Sequence, residues 1–61
     1  MENIFNLPPV YNVTIRSLVW ANHYLTTQVR AWSFSEAIKT AELHHPVPSG
    51  WGQTQTTAEL A

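Results

Sequence analysis

The sequence predicts an all-α protein: a two-helix hairpin with an extended N-terminal arm and a flexible C-terminal tail, dimerising into a helical bundle. Three observations carry that expectation. Ile15, Leu18, Asn22, Leu25, Val29 and Trp32 follow one another at alternating spacings of three and four, a heptad seam. Ser33-Phe34-Ser35-Glu36 has the spacing of a capping box, in which a serine and a glutamate three residues on satisfy free backbone N–H groups at a helix start. Pro46, Pro48, Gly50 and Gly52 then break any regular pattern before the Thr/Gln run of residues 53–57.

The arm comes first. Ile4, Phe5 and Leu7 are apolar, and Pro8-Pro9 holds the chain extended. Asn12 is the expected N-cap of a long helix 1, with Thr14 as a competing start. Helix 1 then runs to Ala31 or Trp32. With Ile15 at heptad position a, Leu18 takes d, Asn22 a, Leu25 d, Val29 a and Trp32 d. A β-branched residue at a with leucine at d favours paired helices, and one asparagine at a selects register and partner number. Helix 2 covers about Phe34 to His44, with Phe34, Ala37, Ile38 and Ala41 as its apolar face. Glu36 in its first turn and His44-His45 in its last suit the helix dipole, and Pro46 stops it. Residues 1–45 form one helical domain on this reading, and 46–61 a flexible tail. Trp51, flanked by two glycines, either folds back onto the helices or docks into a partner, fold-back being favoured.

Size and composition bound the function. A chain of 61 residues is marginally stable alone and holds no cysteine to staple it. Helix 2 is too short to cover a seam of about 27 to 30 Å. Self-association through Ile15, Leu18, Asn22, Leu25, Val29 and Trp32 is therefore expected, a homodimer first. Only 11% of residues are charged, while three are tryptophan, a balance that suits an interface. A net charge of −1 gives no general attraction to nucleic acid or anionic membrane. Neither a signal peptide nor an apolar run long enough to span a bilayer is seen, so a cytoplasmic location is expected.

A second stripe joins basic and aromatic residues. Arg16, His23 and Arg30 recur every seven positions beside Trp20 and Tyr24. With Trp51 they form a candidate partner-binding set, since cations and aromatic faces suit acidic or planar groups. Helix 2 read as a DNA-recognition helix carries one basic residue, Lys39, against Glu36 and Glu42. Neighbouring His44 and His45 diverge on a helix, and no thiolate or carboxylate stands at a ligand spacing with them or His23, so no metal is expected. Pro8-Pro9-Val10-Tyr11 matches a short proline motif read by WW domains, and Asn12-Val13-Thr14 a glycosylation sequon. The first match is too short to carry a function, and the second has no meaning without secretion. No nucleophile elbow, phosphate loop or carboxylate pair is present, so neither enzyme activity nor a cofactor is expected. The expected function is a small non-catalytic interaction or regulatory protein, of the kind found as bacterial or phage accessory proteins. The runners-up are a small nucleic-acid-binding transcriptional regulator using Arg16, Arg30 and Lys39, and a peripheral membrane amphipathic helix using Trp20.

Overall fold

In the computed structural model, residues 7–61 are described. They form a three-stranded antiparallel sheet with one helix on one face. The elements are β1 (Val10–Ser17), β2 (Tyr24–Arg30), α1 (Phe34–His44), a single 3₁₀ turn (Ser49–Trp51) and β3 (Thr54–Leu60). The strand order is β2-β1-β3, so the helix carries the chain from one edge of the sheet to the other. The all-α helical hairpin is overturned, and the helical bundle with it. The segment expected to be helix 1 is the β1–β2 hairpin. The segment expected to be a flexible tail supplies the third strand.

The physical reason lies in a competing period. Tyr11, Val13, Ile15 and Ser17 alternate with Asn12, Thr14 and Arg16, and the first four are buried. In β2, Leu25, Thr27 and Val29 are half-buried, and the intervening residues are exposed. Period two is the signature of a strand with one covered face. Val10, Val13, Thr14 and Ile15 in β1, and Thr26, Thr27 and Val29 in β2, are β-branched and stiff at χ1, which favours a pleated surface over a helix. The heptad spacing was a coincidence of two strands. Its odd-numbered members, Ile15, Leu25 and Val29, lie on the covered face. Its even-numbered members, Leu18, Asn22 and Trp32, are exposed and do not share a face with them. Asn22 is neither a register-setting core residue nor paired. It sits in the turn that His23 N–H closes onto the Trp20 carbonyl.

The register fixes both faces. Across β1 and β2, Tyr11 stands opposite Val29, Val13 opposite Thr27 and Ile15 opposite Leu25. Across β1 and β3, Tyr11 pairs with Leu60, Val13 with Ala58, Ile15 with Thr56 and Ser17 with Thr54. Directly opposed residues share a face in an antiparallel pair, so these make the inner face, under the helix. The outer face is polar, with Asn12, Thr14 and Arg16 flanked by Thr26, Gln28, Gln55, Thr57 and Glu59. Gln28 donates to the Asn12 side-chain oxygen at 2.9 Å, and the hydroxyls of Thr14 and Thr26 lie 3.2 Å apart.

α1 falls where the sequence placed it. Ser33 is its N-cap and accepts from Glu36 N–H. The Glu36 carboxylate returns to the backbone N–H of Trp32, one residue before the position a standard capping box would use. Ala37 and Ala41, four apart, are fully buried and let the helix sit close on the sheet. They join Tyr11, Val13 and Ala31 in the core, with Val29 and Ala58 packed at its margin. Phe34 meets the Tyr11 ring edge-on at 5.0 Å. At the far end, Glu42 accepts from the Thr56 hydroxyl at 2.7 Å, tying the helix to β3. No helix among the described residues is long and apolar enough to cross a membrane.

Candidate docking surface at the hairpin end

The core is small, so the distribution of the remaining apolar residues carries information. Leu18, Val19 and Trp20 follow β1 directly and are 58%, 59% and 54% exposed. Three consecutive large apolar side chains facing water are held there by Ser17, the one buried polar residue among the described residues. Its hydroxyl donates to the Trp51 carbonyl at 2.6 Å and accepts the backbone N–H groups of Val19 at 3.0 Å and Trp20 at 2.9 Å. One side chain thus satisfies three backbone groups that no strand ladder serves. Leu18 N–H also donates to the Gln53 carbonyl at 2.8 Å. The loop is pinned, and its apolar side chains are presented at little entropic cost.

The second half of the surface comes from the segment before β3. The 3₁₀ turn places Trp51 over the hairpin end, and Gly52 follows with φ +67°, a backbone conformation that L side chains rarely adopt. A Cβ on Gly52 would also stand 3.0 Å from Val19 Cγ2, so glycine allows the two segments to approach. The His23 ring lies between two tryptophans, 6.2 Å from Trp20 and 5.7 Å, edge-on, from Trp51. Trp51 is half-buried, so it folds back, though onto a hairpin and not onto helices. The hairpin end thus carries exposed Leu18, Val19 and Trp20, with the Trp20, His23 and Trp51 rings clustered there.

The expected partner-binding set is thus divided. Trp20, His23 and Trp51 come together. Tyr24 and Arg16 stand opposite each other on the outer face, just beyond the hairpin end. Arg30 lies at the other end of β2, opposite Val10, about 20 Å away by strand geometry. It donates to the Pro8 carbonyl at 2.8 Å. The stripe expected along one helix face does not exist: Arg16 is on β1, His23 in the turn and Arg30 at the far end of β2, so the two arginines share the outer face at opposite ends of the sheet. Lys39 is on the helix, across the sheet from both arginines. Ser17 and Val19 went unrecognised in the sequence. The available signal was a small hydroxyl residue at the end of an alternating run, immediately before a turn.

No family model, curated protein or solved structure matches this chain. Among the described residues no three His, Asp or Glu side chains come together in a way that would hold a metal ion. The hairpin-end cluster holds one imidazole among the described residues, that of His23. What the arrangement offers is apolar contact, aromatic faces and one imidazole.

Ser17 gives a direct test of the pinning. Ser17→Ala removes one donor and one shared acceptor, and a buried polar group left without its partner costs about 1 to 3 kcal/mol. The expected result is a loss of about 2 kcal/mol in urea unfolding, with faster amide exchange confined to residues 18–23 and 51–53. Unchanged exchange in those residues would show that the hydroxyl does not hold the loop.

Proposed function

We propose that this protein is a small non-catalytic interaction module that binds another protein through the hairpin-end surface. The observation behind this reading is the run Leu18-Val19-Trp20, each more than half exposed yet carried on a backbone pinned by Ser17. Soluble chains scatter single apolar residues over their surface, but a contiguous patch containing tryptophan marks an interaction site. Tryptophan is also over-represented among the residues that dominate binding energy. The occupant is an apolar or aromatic side chain of a partner protein, seated against Trp20 and Trp51, with His23 available as a hydrogen-bond partner at the rim. A chain with only 11% charged residues and net charge −1 relies on such contacts more than on electrostatic attraction.

A displayed random-peptide library selected on the wild-type protein tests the reading. Enriched peptides should carry an apolar or aromatic anchor and shift the amide resonances of residues 18–23 and 51–53. Trp20→Ala and Leu18→Ala should each weaken their binding by at least about 10-fold, the usual range for a central aromatic or apolar contact, while the fold is kept. Selection of no peptide, or of peptides whose affinity ignores both substitutions, would remove the hairpin end as a docking surface.

A further inference from the structure

We infer that two copies of this chain pair through the outer edge of β2, in one register, to form a continuous six-stranded sheet. This rests on the β2 edge and is independent of the hairpin-end surface. The pairing owes nothing to a helical seam; it follows from hydrogen-bond parity and from the side chains that parity brings together.

The parity follows from observed bonds. Ser17 N–H donates to the His23 carbonyl, and Ala31 N–H to the Pro9 carbonyl. The odd-numbered residues of β2 therefore turn their backbone groups toward β1. Tyr24, Thr26, Gln28 and Arg30 turn theirs outward, where, among the described residues, the sheet order places no strand. Natural edge strands are usually blunted by lysine, proline, a bulge or a short length. β2 has seven residues, no proline, no glycine, no lysine, and an unbroken register against β1. Its one charged residue is Arg30.

Antiparallel pairing of two such edges must set outward residues against outward residues. Only an axis through Thr27 pairs all seven positions. Thr26 then faces Gln28 of the second copy and Tyr24 faces Arg30, making about eight inter-chain backbone hydrogen bonds by the alternating pattern of antiparallel ladders. Leu25 faces Val29 and Thr27 faces Thr27, in the more closely spaced non-hydrogen-bonded positions. The strand reads as its own complement. Apolar meets apolar on the inner face, where Leu25 and Val29 are only half-buried in the single chain. On the outer face each Arg30 guanidinium reaches a Tyr24 ring, an aromatic–cation pair at both ends. The inner faces coincide, so both helices lie on the same side of the sheet.

The other edge fits less well. β3 also turns its even-numbered residues outward, since Leu18 N–H bonds Gln53 and Ala61 N–H bonds Val10. Pairing about Thr57 would set Thr56 against Ala58, Gln55 against Glu59 and Thr54 against Leu60, with no apolar pair and no opposite charges. Antiparallel pairing of β2 with β3 would align the inner face of one copy with the outer face of the other. That would set Leu25 and Val29 beside Glu59, Thr57 and Gln55. A parallel head-to-tail contact between β2 and β3 keeps the faces aligned but leaves further edges open, so it grows without closing.

The register makes a sharp test possible, because the chain has no cysteine of its own. Thr27→Cys places two thiols across the twofold axis, with Cα atoms about 4.5 Å apart, within disulfide range. Under mild oxidation at 100 µM protein, this variant should cross-link to covalent dimer at least about 10-fold faster than Thr57→Cys, which holds the same central position on β3. Unmodified protein at the same concentration should sediment as a dimer. Gln28→Pro removes an outward N–H that serves no strand among the described residues and should give a folded monomer, whereas Thr54→Pro, at the first residue of β3 with its N–H likewise outward, should leave the dimer intact. A wild-type monomer, faster cross-linking at Thr57→Cys, or growth beyond the dimer would each overturn the β2 twofold.

Discussion

Deletion of residues 54–61 is expected to abolish cooperative folding. The sequence pattern alone treats this segment as a mobile tail, whose removal would be neutral. In the structure it is β3, hydrogen-bonded along the whole of the central strand. Its loss strips β1 of one ladder and exposes the backbone groups of Val10, Asn12, Thr14 and Arg16. It also takes Ala58 from the margin of the core and releases the Thr56–Glu42 bond that holds the helix end. What remains is a two-stranded hairpin with one helix, and two-stranded sheets are marginal in water. A domain of this size has only about 3 to 5 kcal/mol in hand, less than the loss of an entire strand. Far-UV circular dichroism with a thermal melt reads the result directly. A truncated chain that keeps a sigmoidal melt and sheet signal would contradict the architecture.

The second large effect separates two residues that the heptad seam treats as equals. Ile15→Ala is expected to cost about 2 to 5 kcal/mol, the range for emptying a core site of this volume, and to leave most of the chain unfolded at room temperature. Ile15 is fully buried at the centre of the sheet, between Leu25 and Thr56. Leu18→Ala is expected to cost less than about 1 kcal/mol, as for a surface position, because Leu18 is 58% exposed. Urea midpoints for the two variants measure the difference. A helical seam demands similar losses at both positions, and so would any fold in which Leu18 entered the core. Equal midpoints would therefore count against the sheet.

The hairpin-end surface and the β2 edge have a joint consequence. In the β2 twofold, Tyr24 of each copy meets Arg30 of the other, so the two hairpin ends point away from each other along the shared strands. A dimer would present two docking surfaces at opposite ends of one sheet. Binding partners carried on a common scaffold would then be held with avidity beyond either single contact.

The parts of the fold that the sequence reveals are those governed by neighbours in the chain. α1 runs over Phe34–His44, and its boundaries follow from Ser33, Glu36 and Pro46 within a few residues of each end. Ala37 and Ala41 were legible as a buried face because they repeat at helical spacing. The hairpin was misread because its two signals compete. Alternation in β1 ends on Ser17, and β2 carries Thr27 in the middle of its covered face, so polar residues interrupt the apolar count at the positions where period two should stand out. The interval of seven from Ile15 to Asn22 and from Leu25 to Trp32 filled the gap with an apparent seam. The local signal against a helix is the high content of β-branched residues in both strands.

The candidate site divides in the same way. Trp20, His23 and Trp51 were recognisable as residues suited to contact, from type alone. Their juxtaposition was not, since 28 positions separate His23 from Trp51 and nothing in their spacing implies that the chain returns there. By itself the sequence determined a short, cysteine-free, sparsely charged chain with one well-capped helix and an excess of tryptophan. Tertiary structure decided that the remaining segments are strands, that the last of them joins the first, and that Ser17 gathers Leu18, Val19, Trp20 and Trp51 at one end. The reason is that a helix closes its hydrogen bonds within four residues, so its signals are local. A strand closes them with whatever chain lies beside it, and the burial that selects that partner exists only once the sheet has formed.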